Sequence, residues 1–378
     1  MRGSPGFFTM KSVLFVGYTN DKIVTAQQEP FLYHKRELRQ ELGLEVAVKN
    51  VPTLNEAVNL CLGDRSDIFF LMPSWREQPE VVETLIRNLR QQKPHAKLFF
   101  VDPFAQASSR FLSVLPYVDG FVKRQRYQDQ SLYTQDLIGG SVLTQYLVQQ
   151  QHYELGNWHV GSIAPRGYAS QIKTGWSLGT SKSFKRLLQR PRWLFRPKAK
   201  TMDIFCRMSL SPEKDSWYYK YRLSALAALA PLSADYRVAS NGGSDKSKEV
   251  SQRQYFRELQ QSRIVFSPFG WGESCWRDFE AICYDCLLLK PSMEHLDVQP
   301  NLFIPGETYV PIAWDFSDLE HQCRYYLQNP AAAARIVSNA REAYLEYFKT
   351  RSFVAQMKQL IQGASRTARL EPGTMTLS

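Results

Sequence analysis

The sequence predicts an α/β protein built from two Rossmann-like, doubly wound domains. Two observations predict it. Short apolar runs with β-branched and aromatic residues alternate with helical charge patterns along most of the 378 residues. Most of these runs are apolar at consecutive positions, as parallel strands buried on both faces must be. At this length the chain supports two cores. Its 44% hydrophobic and 13% aromatic content suits a folded protein rather than a disordered one.

The first domain is expected over 1–165, with its opening MRGSPGFFT read as a short leader and Met10 as the start. Val13–Val16 predicts a strand ending at Gly17. Residues 31–43 predict a helix and Leu44–Val51 a second strand. Thr53 and Glu56 form a capping box that opens a helix to Leu62. Ile68–Leu71 is a third strand, Val81–Gln92 an amphipathic helix, and Leu98–Val101 a fourth strand closed by Asp102-Pro103. A short helix over Ser109–Leu115 leads to a fifth strand at Gly120–Lys123. No G-x-G-x-x-G and no P-loop occurs here, which argues against a dinucleotide or NTP site in this half.

Residues 166–200 read as a basic linker. Segment 173–200 holds nine Lys and Arg and no acid, so the formal charge of +11 falls to 11 − 9 = +2 without it. Its interleaved Leu, Trp and Phe suit an anionic lipid surface. They equally suit nucleic-acid phosphate, an anionic acceptor glycan or a solvated linker. Pro191 and Pro197 oppose one long helix.

The second domain is expected over 201–345. It begins at Asp203–Cys206 and continues through a helix over Tyr218–Leu229, a strand at Tyr236–Val238 and a helix over Glu249–Gln261. Its centre is Ile264-Val265-Phe266, the turn Ser267-Pro268-Phe269-Gly270-Trp271-Gly272, a helix through Trp276–Cys283, and Leu287–Leu289. Strand, glycine turn, helix, strand is a βαβ unit. Ligands sit beyond the carboxyl ends of such strands. The exposed amides and positive end of that helix suit a phosphate, which directs attention to Gly270–Arg277. Ser317 and Glu320 predict a capping box for the next helix. A tail over 346–378 carries the amphipathic Phe353–Ile361.

The runs SPFGWGESCWRDFEA, LLLKPSMEHL and TYVPIAWDFSDL resemble the nucleotide-sugar half of bacterial group-1 glycosyltransferases, strongly over 201–345 and weakly before it. The resemblance implies the two-domain GT-B architecture with a central cleft, an acceptor-side first domain and a nucleotide-sugar domain second. It implies a donor-sugar contact for Glu273 and a ribose contact for Glu280, although six residues separate them where the family has seven. Arg207 and Lys214 stand roughly where the family carries diphosphate-holding Arg and Lys. Read from the residues alone, Glu273 could cap the helix, Glu280 could lie on a solvated face, and Arg207 and Lys214 could be loop charges. Arg277, in the first turn of the helix, is unfavourable there without an anion. Asp278 or Glu280 would supply one as well as a phosphate would. Lys290 is a strand-end candidate for the donor. Asp102 is either a turn residue or a base that deprotonates an acceptor hydroxyl.

The function expected is glycosyl transfer from a nucleotide sugar to a hydroxyl acceptor (a glycan, a lipid-linked sugar or a small molecule). No bound cofactor is expected beyond that co-substrate. No Asp-x-Asp occurs, so metal-independent transfer is expected, with retention favoured. Rival readings are an epimerase or phosphorylase on the same fold, or a nucleic-acid binder using 173–200. No apolar run reaches membrane-span length, so a cytoplasmic protein is expected, with peripheral contact at the inner membrane face as one option. The six scattered cysteines read as reduced thiols, Cys283-x-x-Cys286 as a weak metal motif, and His295 as the one histidine near a strand end.

Overall fold

Apolar runs that cannot face water on either side become the strands of two parallel sheets, and amphipathic segments become the helices covering them. The computed structural model describes residues 9–190, 200–210, 213–241 and 250–363. The first part of the chain runs β1 (Lys11–Tyr18), α1 (Lys22–Tyr33), α2 (Lys35–Leu42), β2 (Leu44–Val51), α3 (Leu54–Gly63), β3 (Ile68–Met72) and α4 (Pro79–Gln92). It continues through β4 (Lys97–Val101), β5 (Gly120–Lys123), β6 (Gln125–Tyr127), α5 (Val142–Gln151), β7 (Ile172–Thr174) and α6 (Lys182–Leu188). The second part opens with β8 (Met202–Cys206), α7 (Trp217–Leu229), β9 (Val238–Ser240), α8 (Gln252–Gln261), β10 (Ser262–Phe266) and α9 (Trp276–Cys283). It ends with β11 (Leu287–Pro291), β12 (Leu296–Val298), β13 (Val310–Ile312), α10 (Leu319–Gln328), α11 (Pro330–Lys349) and α12 (Ser352–Gln362).

The first sheet has the order β2-β1-β3-β4-β5-β7 and the second β13-β11-β10-β8-β9, with every neighbouring pair parallel. Two doubly wound sheets were expected, and two are present. A short antiparallel ribbon of β6 and β12 ties the halves together. Arg126 bonds Asp297 across it at 2.9 Å, and the Thr174 hydroxyl donates to the same carboxylate at 2.6 Å. α12 returns to the first sheet, where Phe353 packs edge-on against Phe31 and Trp176 at 5.2 and 5.6 Å. Within the segment read as a linker, Ile172–Thr174 is the sixth strand of the first sheet, paired with β5.

Three local expectations need correction. The first helix starts at Lys22, capped by Asp21, and its buried Gln27 and Gln28 hide the apolar face from a hydrophobicity count. Ser109–Leu115 is not an α-helix; a 3-10 turn covers Leu112–Tyr117 instead, with Pro116 inside it. Ser317 does not cap α10: its hydroxyl donates to Asp315 at 2.7 Å, and Asp318 is the N-cap residue. Thr53 caps α3 as expected, with the Glu56 N–H donating to its hydroxyl at 3.2 Å, but the Glu56 carboxylate accepts from that hydroxyl at 3.0 Å rather than completing the box. Residues 191–199 of the basic segment lie outside the described residues. Among those described, no helix is long and apolar enough to cross a membrane.

Candidate functional site

The glycine turn lies at the carboxyl end of β10, where the second sheet faces the first domain. Ser267 continues the strand by donating its N–H to the Leu289 carbonyl at 2.9 Å. The chain then folds tightly, with the Gly270 N–H donating to the Gly272 carbonyl at 3.1 Å. Gly272 is required by a backbone neighbour, whereas Gly270 faces the flexible end of a side chain. A Cβ on Gly270 would stand 2.1 Å from the Arg222 guanidinium, and one on Gly272 would stand 2.3 Å from the Ala105 carbonyl oxygen of the first domain. The two domains therefore touch at this turn, backbone against backbone.

Beyond the turn, α9 is capped by Cys275, whose N–H donates to Asp278 at 2.9 Å. Asp278 is fully buried. It also accepts from the Ser267 hydroxyl at 2.6 Å and pairs with Lys290 at 3.1 Å. Lys290, expected at an open strand end, is instead inside β11 with its ammonium 5.0 Å from the centre of the Phe269 ring. A cation that holds a buried carboxylate in place is not presented to a ligand. Arg277 is also buried. It bonds neither Asp278 nor Glu280 but donates to the Ser267 hydroxyl at 3.2 Å and to the Arg207 carbonyl. It braces the ends of β8 and β10. The Arg207 guanidinium turns away to chelate Glu258 and donates to the Ser240 carbonyl at 3.0 Å. Lys214 is exposed.

Glu280 follows one turn along α9. It is half-buried and accepts from the Tyr255 hydroxyl at 2.8 Å. Burial pushes its carboxyl up from the ordinary 4.5, with the Tyr255 bond and Arg277 pulling the other way. Glu273 does not cap the helix. It is 1% exposed and reaches into the first domain, accepting from the Ala107 N–H at 3.1 Å and from the Gln125 amide at 2.7 Å. Burial raises its carboxyl as well.

Asp102 was expected to face the cleft. It is 1% exposed and paired with Lys123, and it also accepts from the Ser109 hydroxyl at 3.1 Å. The register explains the departure: Val101 sits opposite Val122, so Asp102 and Lys123 extend adjacent strands and meet. Burial lowers the Lys123 ammonium; Asp102, and more distantly Glu273, act to raise it again. Neither candidate catalytic carboxylate thus lies free in the cleft. Glu273, Gly270, Gly272 and Arg277 are brought together at the domain junction, and Glu280 is one helical turn away. Arg207 meets them only through its carbonyl, and Lys290 only through Asp278.

Sequence reasoning missed Arg222. It projects from α7 over Gly270 and donates to the Ser209 carbonyl, while its buried Nε has no partner. Among the described residues no acidic side chain bonds it, and Arg277 beside it acts to lower its pKa after burial, the larger cause. A guanidinium beside another guanidinium and a helix N-terminus, with no carboxylate of its own, suits an incoming anion. No short motif announces it, because it lies 48 residues before Gly270 in a helix of aromatic and small residues. Cys283 and Cys286 are free and buried, and burial pushes both thiols up, which leaves the CxxC as core. Among the described residues no three His, Cys, Asp or Glu side chains converge to hold a metal.

Two parallel doubly wound sheets, joined by a short ribbon and a returning helix and meeting at a glycine turn, define the GT-B architecture. Comparison with known proteins agrees. A family model described as glycosyl transferase-like matches residues 222–359, beginning at Arg222 and covering the turn, both glutamates and Lys290. Residues 222–359 thus resemble a glycosyl transferase-like family, and the enzyme class supported is glycosyltransferase. Among solved structures the chain is similar to a putative UDP-N-acetylglucosamine 2-epimerase from Listeria monocytogenes. Identity is 10% and the TM-score 0.50, over 95% of this chain and 98% of that one. It is also similar to a glycosyltransferase from Rickettsia africae at 11% identity and TM-score 0.48, over 96% of this chain and 100% of that one. At 10% identity the first of these likenesses concerns the fold alone. A search of curated protein sequences finds no match.

Proposed function

We propose that the protein transfers a glycosyl group from a nucleotide diphosphate sugar to a hydroxyl acceptor without a metal ion, and with retention of configuration. The observation that carries this is Arg222, which meets no carboxylate among the described residues and lies over Gly270 in the turn that leads into α9. As the bond from the sugar to the diphosphate breaks, the leaving oxygen gains negative charge. Arg222 and the first amides of α9 stabilise that charge where it develops. Arg277, locked by Ser267 and the Arg207 carbonyl, adds a fixed positive charge behind it.

Glu280, held by Tyr255, accepts from the ribose hydroxyls in its ionised form. Retention is supported by Asp102, whose carboxylate is already committed to Lys123 and Ser109 and is not free to remove a proton from an acceptor. The first domain supplies the acceptor side, and the Glu273 contacts to Ala107 and Gln125 hold the two halves against each other. Bringing donor and acceptor together in this way supplies much of the rate.

The test is calorimetric binding of a panel of nucleotide diphosphates and nucleotide sugars without metal, on wild type, Glu280→Ala and Arg222→Gln. One nucleotide should bind, weakened by about 1.5–3 kcal/mol in each variant, the value of a hydrogen bond to a charged group. Failure of every nucleotide to bind would remove the reading.

A further inference from the structure

Six aromatic rings converge on the glycine turn from both sides of the domain junction. Trp271, between the two glycines, meets Trp75 of the first domain edge-on at 4.6 Å, and Phe104 lies 6.5 Å away. Trp158, from the loop after α5, sits 5.7 Å from Trp271 and 5.6 Å from Trp217 at the start of α7, with Tyr218 at 5.9 Å. Packing alone does not account for this cluster. The indole N–H groups of Trp158, Trp217 and Trp271 are all buried without an acceptor, and so is the Nε of Arg222 next to them. Trp217 itself is only 1% exposed. Buried donors are nearly always paired, because an unpaired one loses its hydration for nothing in return. Four in one contiguous cluster mark a place whose acceptors arrive with a ligand.

Resting on the transferase reading above, we infer that this aromatic cluster is the acceptor subsite and that the acceptor is a saccharide rather than a lipid or an aromatic alcohol. The negative ring faces attract the polarised C–H groups of a sugar. Its hydroxyl oxygens accept from the indole N–H groups that the protein leaves unpaired. A hydrocarbon occupant would cover the rings but leave the three indole donors orphaned. The position fits as well: Trp75 and Phe104 stand just beyond the carboxyl ends of β3 and β4, facing the turn that flanks the donor site. Opening of the junction at Gly272 separates Trp75 from Trp271 and uncovers both rings. Closure then grips a sugar between the domains.

The probe is a printed array of mono- to hexasaccharides. Hits are then titrated in solution by intrinsic tryptophan fluorescence, with octanol and p-nitrophenol as non-saccharide controls. Wild type should bind one saccharide series with a change in fluorescence and neither control. Trp75→Ala should weaken that binding about tenfold. Trp158→Phe keeps the ring and removes only the donor, and it should weaken binding about three- to tenfold. Both variants should keep the melting temperature and nucleotide diphosphate affinity of wild type. No saccharide hit in a protein that binds nucleotide diphosphates overturns the inference and leaves the donor reading intact. Saccharide binding indifferent to both substitutions, or displaced by octanol, also overturns it. Saccharide binding that responds as expected in a protein that binds no nucleotide upholds the subsite and removes the donor reading.

Discussion

Replacing Lys290 by Met removes the cation from a pair in which both side chains are almost wholly buried, at 1% and 0% exposure. Breaking such a pair from one side costs about 3–5 kcal/mol, because the remaining charge stays buried without its partner. Asp278 would keep the Ser267 hydroxyl at 2.6 Å and the Cys275 N–H at 2.9 Å, and it stands at the positive end of α9. The lower figure, about 3 kcal/mol, is therefore expected. Met matches the aliphatic stem of Lys, so little of the loss comes from packing. In the double variant Asp278→Asn/Lys290→Met neither charge remains, and stability should return to within about 1 kcal/mol of wild type. The two singles and the double, followed by urea denaturation with a probe in the second domain, give the coupling directly. Nucleotide diphosphate affinity of Lys290→Met should stay within about twofold of wild type, since a bond it does not make cannot be lost. The reasoning is refuted if Lys290→Met costs less than about 0.5 kcal/mol while nucleotide affinity drops about tenfold or more. Lys290 would then be a donor ligand after all.

Two further outcomes are expected. Gly272→Ala places a Cβ 2.3 Å from the Ala105 carbonyl, so the junction must open. Donor turnover should fall on the order of 100-fold, with nucleotide affinity unchanged in calorimetry, and unaltered turnover would show that this contact is not used in the reaction. His34 and His295 are both pushed down from 6.5 to about 4, chiefly by burial. Their contribution to stability is present above 6.5 and lost as the pH falls from 6.5 through 4. Glu273 and Glu280, pushed up by burial, act in the opposite sense: their contribution is present below 4.5 and lost as the pH rises through their raised values. The denaturation midpoint should therefore fall less steeply between pH 6.5 and 4 in a His34→Gln/His295→Gln double variant than in wild type. Equal slopes would dismiss the role of these histidines.

The sequence by itself determined the two parallel sheets, the order of most of their strands along the chain and the glycine turn. Those are local matters. A run such as Ile68–Leu71 has no polar face to expose, and Pro and Gly at 268–272 leave the backbone little choice but to turn. The face proposed for the ligand rests on local matters as well, namely strand direction and a helix N-terminus. Only the tertiary structure decided what each charged side chain does. Arg207 and Arg222 are equally basic in the sequence, yet Glu258, packed alongside, claims the first, while the second stands above Gly270 with no carboxylate among the described residues. Lys290 and Asp102 looked available because their partners, Asp278 and Lys123, lie 12 and 21 residues away. Glu273 bonds across 166 residues. A charge is neutralised by whatever stands within a few ångströms of it, and that neighbour is set by the packing of strands and domains rather than by spacing along the chain.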